Sequence, residues 1–506
     1  MNRKLRRARE RAGQKRHRGL SAEAAQELLQ QALAHHQAGR VGEAEALYQQ
    51  VLQSFPKHPD ALHLSGVAAY QGGHAARAVE RIRRAVALAP DRAEFYSNLG
   101  LALHAEGCLD EAVSAYGEAL RLRPVYPEAR NNRGNVRTAQ RRYPEAEDDY
   151  RQAIAAQPGY VEAHTNLGAA LADQGRLDEA IASYRDTLAL APGAADAHLG
   201  LIKSLQTAQY DETWREALSR APEVSRMTPV QRAEVAIQSA ICAWLAGDMA
   251  ALSSALDTAA PLVGGGASGR HVRSLAGYHE YLSALMATRT EHPPREPHAG
   301  ETVLHVVGDS HSLFANGMQV AVDGVLHRVR SHLVIGVKAW HLAQEAPNRH
   351  KAGVLAALSQ VPEKGMVLLT VGEIDCRQDE GVFAHHVKHG GDPEATLPEL
   401  LDGYVHWVAQ HAAPRGLQLI FQGVPAPLEG CRILPESEYE RFLGVVRRFN
   451  EALGRAAEDA GARWIDVYGV TADHRGLADG TWHLDKVHLT PRFLEEALAK
   501  HLRPAG

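Results

Sequence analysis

Residues 93–126 read AEFYSNLGLALHAEGCLDEAVSAYGEALRLRPVY, and four landmarks within them, Gly100, Ala112, Tyr116 and Pro124, return along the chain at a fixed interval. Proline stands at 56, 90, 124, 158 and 192, a constant step of 34 residues. On the same step Ala44, Ala78, Ala112, Ala146 and Ala180 share one phase, and Gly66, Gly100, Gly134 and Gly168 share another. Tyr48, Ile82, Tyr116, Tyr150 and Tyr184 make a third. Each position has a physical reason. Glycine and alanine lack bulk where two helices approach closely, the large side chain fills the seam, and proline stops the second helix because it has no N–H to donate. A helical hairpin of this kind cannot cover its own apolar stripe, so several must stack into a solenoid.

The pattern resembles the tetratricopeptide (TPR) family, with repeats at about 25–58, 59–92, 93–126, 127–160 and 161–194. The first departs from it, carrying Ala32 where the others have glycine. After Pro192 the register is read as lost, although Ala- and Leu-rich helical patterning continues through about residue 288. Residues 195–289 are expected to form a helical extension or cap. The resemblance implies a protein partner held in the solenoid groove.

At 506 residues the chain exceeds one hydrophobic core. A composition of 23% charged and 45% apolar residues, with a formal charge of −5, is ordinary, so no specific nucleic-acid binding is expected. Nine Lys and Arg residues against Glu10 make residues 1–22 a basic tail, expected to be disordered and solvated. The tail lacks the apolar run of a secretory leader, and no later stretch is long enough to cross a bilayer, so a cytoplasmic protein without a transmembrane segment is expected. Cys108, Cys242, Cys376 and Cys431 lie far apart, without a CxxC pair, which fits a reducing compartment.

Pro293, Pro294 and Pro297 mark an extended linker at 290–301. Beyond it, five short apolar runs at about 303–307, 332–335, 366–371, 417–421 and 463–467 alternate with segments long enough for helices. Strand alternating with helix predicts an α/β/α sandwich with a five-stranded parallel sheet, flavodoxin-like, over 302–506, its site beyond the carboxyl ends of the strands. The fold class is therefore an α-solenoid followed by an α/β domain.

Directly after the first run comes Gly308-Asp309-Ser310-His311-Ser312, and near the end comes Asp485-Lys486-Val487-His488. In order, spacing and strand context these resemble the first and last blocks, GDS and DxxH, of the SGNH (GDSL-type) hydrolases, over residues 302 to about 502. The resemblance implies Ser310 as nucleophile, His488 as its base and Asp485 as the group orienting the imidazole, with backbone amides of Ser310 and Gly336 at the oxyanion hole. The third block departs from the family. Its Gly-x-Asn-Asp appears as Gly372-Glu373-Ile374-Asp375, followed by Cys376-Arg377. Ile374 cannot donate a hydrogen bond, and Glu373 and Asp375 repel a developing oxyanion unless they point away or are neutralised. Arg377 is the candidate to replace the missing donor or to pair with Glu373 and Asp375. GEIDCR with GDSHS and DxVH is similar to a bacterial subgroup of that family.

Each of these residues also has a structural reading: Ser310 an ordinary turn serine, His488 a packing histidine, and Glu373, Asp375 and Arg377 a salt-bridged cluster holding a loop. His385, His386 and His389 are read as a solvated patch and Cys376 as a packed thiol, and His483 ranks second to His488 as base. No cofactor or metal is expected. The first functional reading is an acyl-ester hydrolase or O-acyltransferase acting on an acylated small molecule or carbohydrate. The second is a TPR scaffold or binding protein whose α/β domain turns nothing over.

Overall fold

The computed structural model describes residues 20–221, 227–264, 269–291, 301–379 and 381–503. The basic tail up to residue 19 and nearly all of the proline-rich linker lie outside the described residues. Two compact units meet in sequence between Ala170 and Leu171, inside the helix Val161–Asp173.

The 34-residue ruler is visible in the helix starts. First helices of successive hairpins begin at Pro59, Ala93, Pro127, Val161 and Ala195, and second helices at Val41, Ala75, Leu109, Tyr143, Leu177 and Asp211. Proline at the first helical position costs no hydrogen bond there, and Gly107, at φ 83°, ends the helix Ala93–Glu106 in the left-handed region. The ladder therefore does not stop at Pro192. A further hairpin, Ala195–Thr207 with Asp211–Arg220, keeps the step, although Ile202, Trp214, Leu218 and Arg226 stand where the glycine, alanine, tyrosine and proline phases would fall.

Inside a hairpin the small and large phases meet. A Cβ on Gly100 would lie 2.7–2.8 Å from three ring atoms of the fully buried Tyr116, whereas one on Gly117 of the helix Leu109–Leu122 would meet nothing within 4 Å. The two sites differ in sterics alone. Gly100→Ala is expected to destabilise the protein by about 1–3 kcal/mol through overpacking, and Gly117→Ala to stabilise it by about 0.5–1 kcal/mol through helix propensity. Urea unfolding of both variants checks this, and shifts of the same sign would contradict it.

In the second unit the helices Pro229–Ala246, Met249–Val263 and Arg270–Glu291 follow the last hairpin. Thr228 and Gln231 form a reciprocal capping box at the start of the first. These helices are bonded into the α/β domain. Trp244 Nε1 donates to Leu313 O at 2.9 Å, Asn316 Nδ2 to Trp244 O at 3.1 Å, and Arg289 Nη1 to Asn316 O at 2.8 Å. Gln206, from the last hairpin, donates to Leu333 O at 2.6 Å. Residues 195–289 thus belong to one compact unit with the sheet.

The sheet has seven strands, not five: β1 Thr302–Gly308, β2 Gln319–Val322, β3 Val325–Leu333, β4 Met366–Thr370, β5 Gln418–Gln422, β6 Arg463–Ile465 and β7 Leu502–Arg503, ordered β2-β3-β1-β4-β5-β6-β7. The inner five are parallel, and β2 and β7 add antiparallel edges. Numbered among themselves, the parallel strands run 2-1-3-4-5, the doubly wound order whose switch point lies beside β1. β3 begins at Val325, seven residues before the apolar run at 332, because its first half carries His327, Arg328 and Arg330. Asp323 and Gly324, at φ 51° and 80°, form the tight turn from β2. Phe383, Tyr404, Phe421 and Phe449 anchor the core against β4 and β5. Among the described residues no helix is long and apolar enough to cross a membrane.

Candidate active site

β1 ends at Gly308, where a Cβ would press into the Thr370 carbonyl of the neighbouring β4, so only glycine lets the strands close there. The chain then turns through the 3-10 segment Ser310–Leu313, with Asp309 accepting from His311 N at 3.0 Å. This turn places Ser310, which is buried, just beyond the carboxyl end of β1.

A second tight turn brings the far end of the sequence to it. Asp485 Oδ1 accepts from the backbone N–H of Val487 and of His488, both at 2.8 Å, and Leu484 N donates to His488 O at 2.8 Å. Asp485 Oδ2 lies 2.7 Å from His488 Nδ1, and His488 Nε2 lies 2.9 Å from Ser310 Oγ. A carboxylate only accepts, so Nδ1 carries the proton and the lone pair of Nε2 faces the serine. Burial lowers the His488 pKa, and the charge of His311 adds to that, against the lifting effect of Asp485. Burial works against ionised Asp485, yet its bonds from His488 and from two backbone amides hold it well below the ordinary carboxylate range.

Two further residues that motif reading did not single out complete the cluster. His311 places Nδ1 3.2 Å from Asp309 Oδ1 and Nε2 3.0 Å from Val487 O, so both ring nitrogens meet acceptors and the ring is best satisfied as imidazolium. Burial opposes that charge, but Asp309, Glu373 and the Val487 carbonyl outweigh it and raise the pKa to about 9. Its ring centroid is 4.6 Å from that of His488. From the helix Arg270–Glu291, Tyr281 stacks on His488 with centroids 3.7 Å apart and planes at 14°.

Gly336, at φ 67°, follows β3 beside the end of β1, and a Cβ there would lie 4.0 Å from the His350 ring. Asp375 is fully buried and accepts from Ala339 N at 2.8 Å, capping the short helix Ala339–Ala343. That bond commits the carboxylate to a helix N-terminus. Burial raises its pKa to about 7 despite those bonds. Glu373 is paired with Arg377, whose Nε and Nη2 lie 2.9 and 2.6 Å from its two oxygens. Both acids thus have partners of their own, Asp375 a helix N-terminus and Glu373 a guanidinium.

Arg377 and Glu373, with Lys486, His483 and the apolar Val424 and Phe442, line a cavity of about 190 Å³ next to Val487. His483 Nδ1 is buried there without a partner, whereas His483 makes no bond to Asp485. Burial pushes the Cys376 thiol up, which makes it inert. His386 bonds Gly390 O at 3.1 Å and Thr396 at 2.9 Å, and the His385 and His389 rings pack 4.7 Å apart. Among the described residues one set, Asp309, His311 and Glu373, brings three potential metal-ligand atoms within 4.8 Å. Both His311 nitrogens are already engaged there, so the set does not fit a metal without breaking the link to Val487.

A family model described as Tetratricopeptide repeat matches residues 2–59, 107–160 and 131–195, and a second with the same description matches 35–99. The N-terminal part of the chain carries tetratricopeptide repeats. Among solved structures, MamA is 26% identical over 31% of this chain and 93% of its own, with a TM-score of 0.30. A thermophilic TPR protein of Thermus thermophilus is 27% identical over 36% of this chain and 99% of its own, at 0.32. YrrB, described as a TPR protein with an unusual peptide-binding site, is 20% identical over 35% of this chain and 92% of its own, at 0.30. No curated protein matches the chain.

Proposed function

We propose that the α/β domain is an SGNH-type acyl-ester enzyme in which Ser310, His488 and Asp485 form the catalytic triad, with the TPR solenoid holding a protein partner. The observation that carries this reading is the continuous chain Asp485 Oδ2–His488 Nδ1 and His488 Nε2–Ser310 Oγ, at 2.7 and 2.9 Å. His488 takes the serine proton as Oγ attacks the acyl carbonyl; the oxyanion collapses, the alkoxide leaves with that proton, and an acyl-Ser310 ester remains. Water then gives an esterase and a sugar hydroxyl an O-acyltransferase, and the two share every residue through the acyl-enzyme. The doubly wound order of the parallel strands supports the SGNH reading, as do the GDS and DxxH turns at their carboxyl ends. The substrate class is an acylated small molecule or glycan.

Ile374 at the usual asparagine favours a second reading, a TPR binding protein with a non-catalytic α/β domain. A fluorophosphonate probe separates the two. Covalent labelling of the full chain, abolished in Ser310→Ala, is the expected result. Equal labelling of both proteins, or none, gives the case to the binding reading.

A further inference from the structure

We infer that Tyr281 is a positioning residue of this site, its ring face holding the His488 imidazole in place and stabilising the positive charge which that imidazole gains on taking the Ser310 proton. The inference rests on the triad reading above. It begins from a ring contact: Tyr281 lies flat on His488, with centroids 3.7 Å apart and planes at 14°. The edge of the same imidazole is held at both nitrogens, Nδ1 by Asp485 at 2.7 Å and Nε2 by Ser310 at 2.9 Å. Bonds at the edge alone leave the ring room to tilt out of its plane, and a flat wall against one face stops that tilt.

An aromatic face attracts a cation more strongly than a neutral ring. The contact is therefore stronger in the transition state, where His488 becomes imidazolium, than before attack, and a difference of that kind raises kcat. The groups facing His488 are Ser310 and His311 on the nucleophile turn, Asp485 on its own turn, Glu373 on the loop after β4, and Tyr281 on the helix. Burial and the charge of His311 oppose the imidazolium, while Asp485 and Glu373 favour it, and the Tyr281 face adds to their side. The Tyr281 hydroxyl is buried without a hydrogen-bond partner among the described residues, so the ring and not the hydroxyl makes this contact. The helix Arg270–Glu291 is pinned along its length, His271 Nε2 lying 3.2 Å from Glu234 Oε2, His279 Nε2 3.2 Å from Leu256 O, and Arg289 Nη1 2.8 Å from Asn316 O. The segment 270–291, outside the stretch that resembles the hydrolases, thus supplies one wall of the catalytic base.

The test is the pH profile of p-nitrophenyl acetate turnover by the full chain with position 281 changed. Tyr281→Phe keeps the aromatic face and removes only the unpartnered hydroxyl, so its kcat is expected within about twofold of wild type. Pentafluorophenylalanine at 281 keeps the ring and its burial but reverses the charge of its face, and kcat is expected to fall about tenfold with KM within about twofold. Because the imidazolium is then disfavoured, the acid limb of the profile is expected to move to lower pH by roughly one unit. A pentafluorophenylalanine protein as fast as Tyr281→Phe overturns the inference and leaves the triad standing. A slow one whose acid limb has not moved to lower pH also overturns it, since the loss is then not carried by His488. Tyr281→Phe as slow as the fluorinated protein overturns it too, the loss being one of hydroxyl or packing. If the wild-type chain shows neither Ser310-dependent turnover nor Ser310-dependent fluorophosphonate labelling, the inference falls together with the reading it rests on.

Discussion

Asp485→Asn is expected to lower kcat by about 10³–10⁴ while leaving the fold intact. The carboxylate does two separable things. Oδ1 shapes the turn by accepting from Val487 N and His488 N, and an asparagine carbonyl can take over that task. Oδ2 accepts from His488 Nδ1 at 2.7 Å, and there an amide presents N–H instead. Two donors cannot share a hydrogen bond, so the ring moves its proton to Nε2, facing Ser310 Oγ, and loses the lone pair that takes the serine proton. The turn survives and the base does not. In the wild type, with the His488 pKa lowered by burial, activity is expected to persist as pH falls below 6.5, the group's ordinary value, before the acid limb sets in. Turnover of Asp485→Asn within tenfold of wild type, with unaltered unfolding, would remove Asp485 from the mechanism.

How much of this was legible depended on how local each signal was. The hairpins were legible because the small and large phases and the proline recur every 34 residues. The hairpin at 195–220 escaped because every landmark was replaced, by Ile202, Trp214, Leu218 and Arg226, while the helix starts kept their step. Among the strands, β4 is nearly all apolar and β5 has the apolar centre Leu419-Ile420-Phe421, which a run of hydrophobic residues announces. β3 alternates instead, with Arg328 and Arg330 between buried neighbours, and its Asp323-Gly324 turn was the overlooked hairpin cue. β7 has two residues, too few to carry any period.

The site divides the same way. Asp485 and His488 sit on one turn and Ser310 directly follows a strand, so sequence neighbours alone point to them. Tyr281 meets His488 only after the helical layer has been bonded to the α/β domain through Trp244 and Asn316, which no local pattern encodes. The partner of Asp375 was not legible, because the helix N-terminus it caps lies 36 residues away. Within GDSHS, His311 was read past as a neighbour of the nucleophile, and its second nitrogen finds its partner in the last turn of the domain.

That position makes His311 the residue whose loss is expected to cost the most stability. His311→Ala leaves the Asp309 carboxylate 1% exposed with only the backbone N–H at 311 for a bond, its Oδ2 being already without a partner. Removing one member of a buried ion pair costs about 3–5 kcal/mol. It also frees the Val487 carbonyl, adjacent to His488, so kcat is expected to fall with stability. The pH dependence has a definite sign. The charged and polar groups facing the ring are Asp309, Glu373, the Val487 carbonyl and His488, with Arg377 behind Glu373. With the folded pKa raised to about 9 from 6.5, the contribution is fully present below pH 6.5 and is lost as pH rises through about 9. By that linkage the stability gap between wild type and His311→Ala is expected to shrink by on the order of 3 kcal/mol between pH 6 and pH 10. Urea unfolding of both proteins at the two pH values measures it directly. A gap that stays constant or widens at pH 10 would mean that His311 is neutral in the fold, and that the tie from the nucleophile turn to the base turn carries no charge.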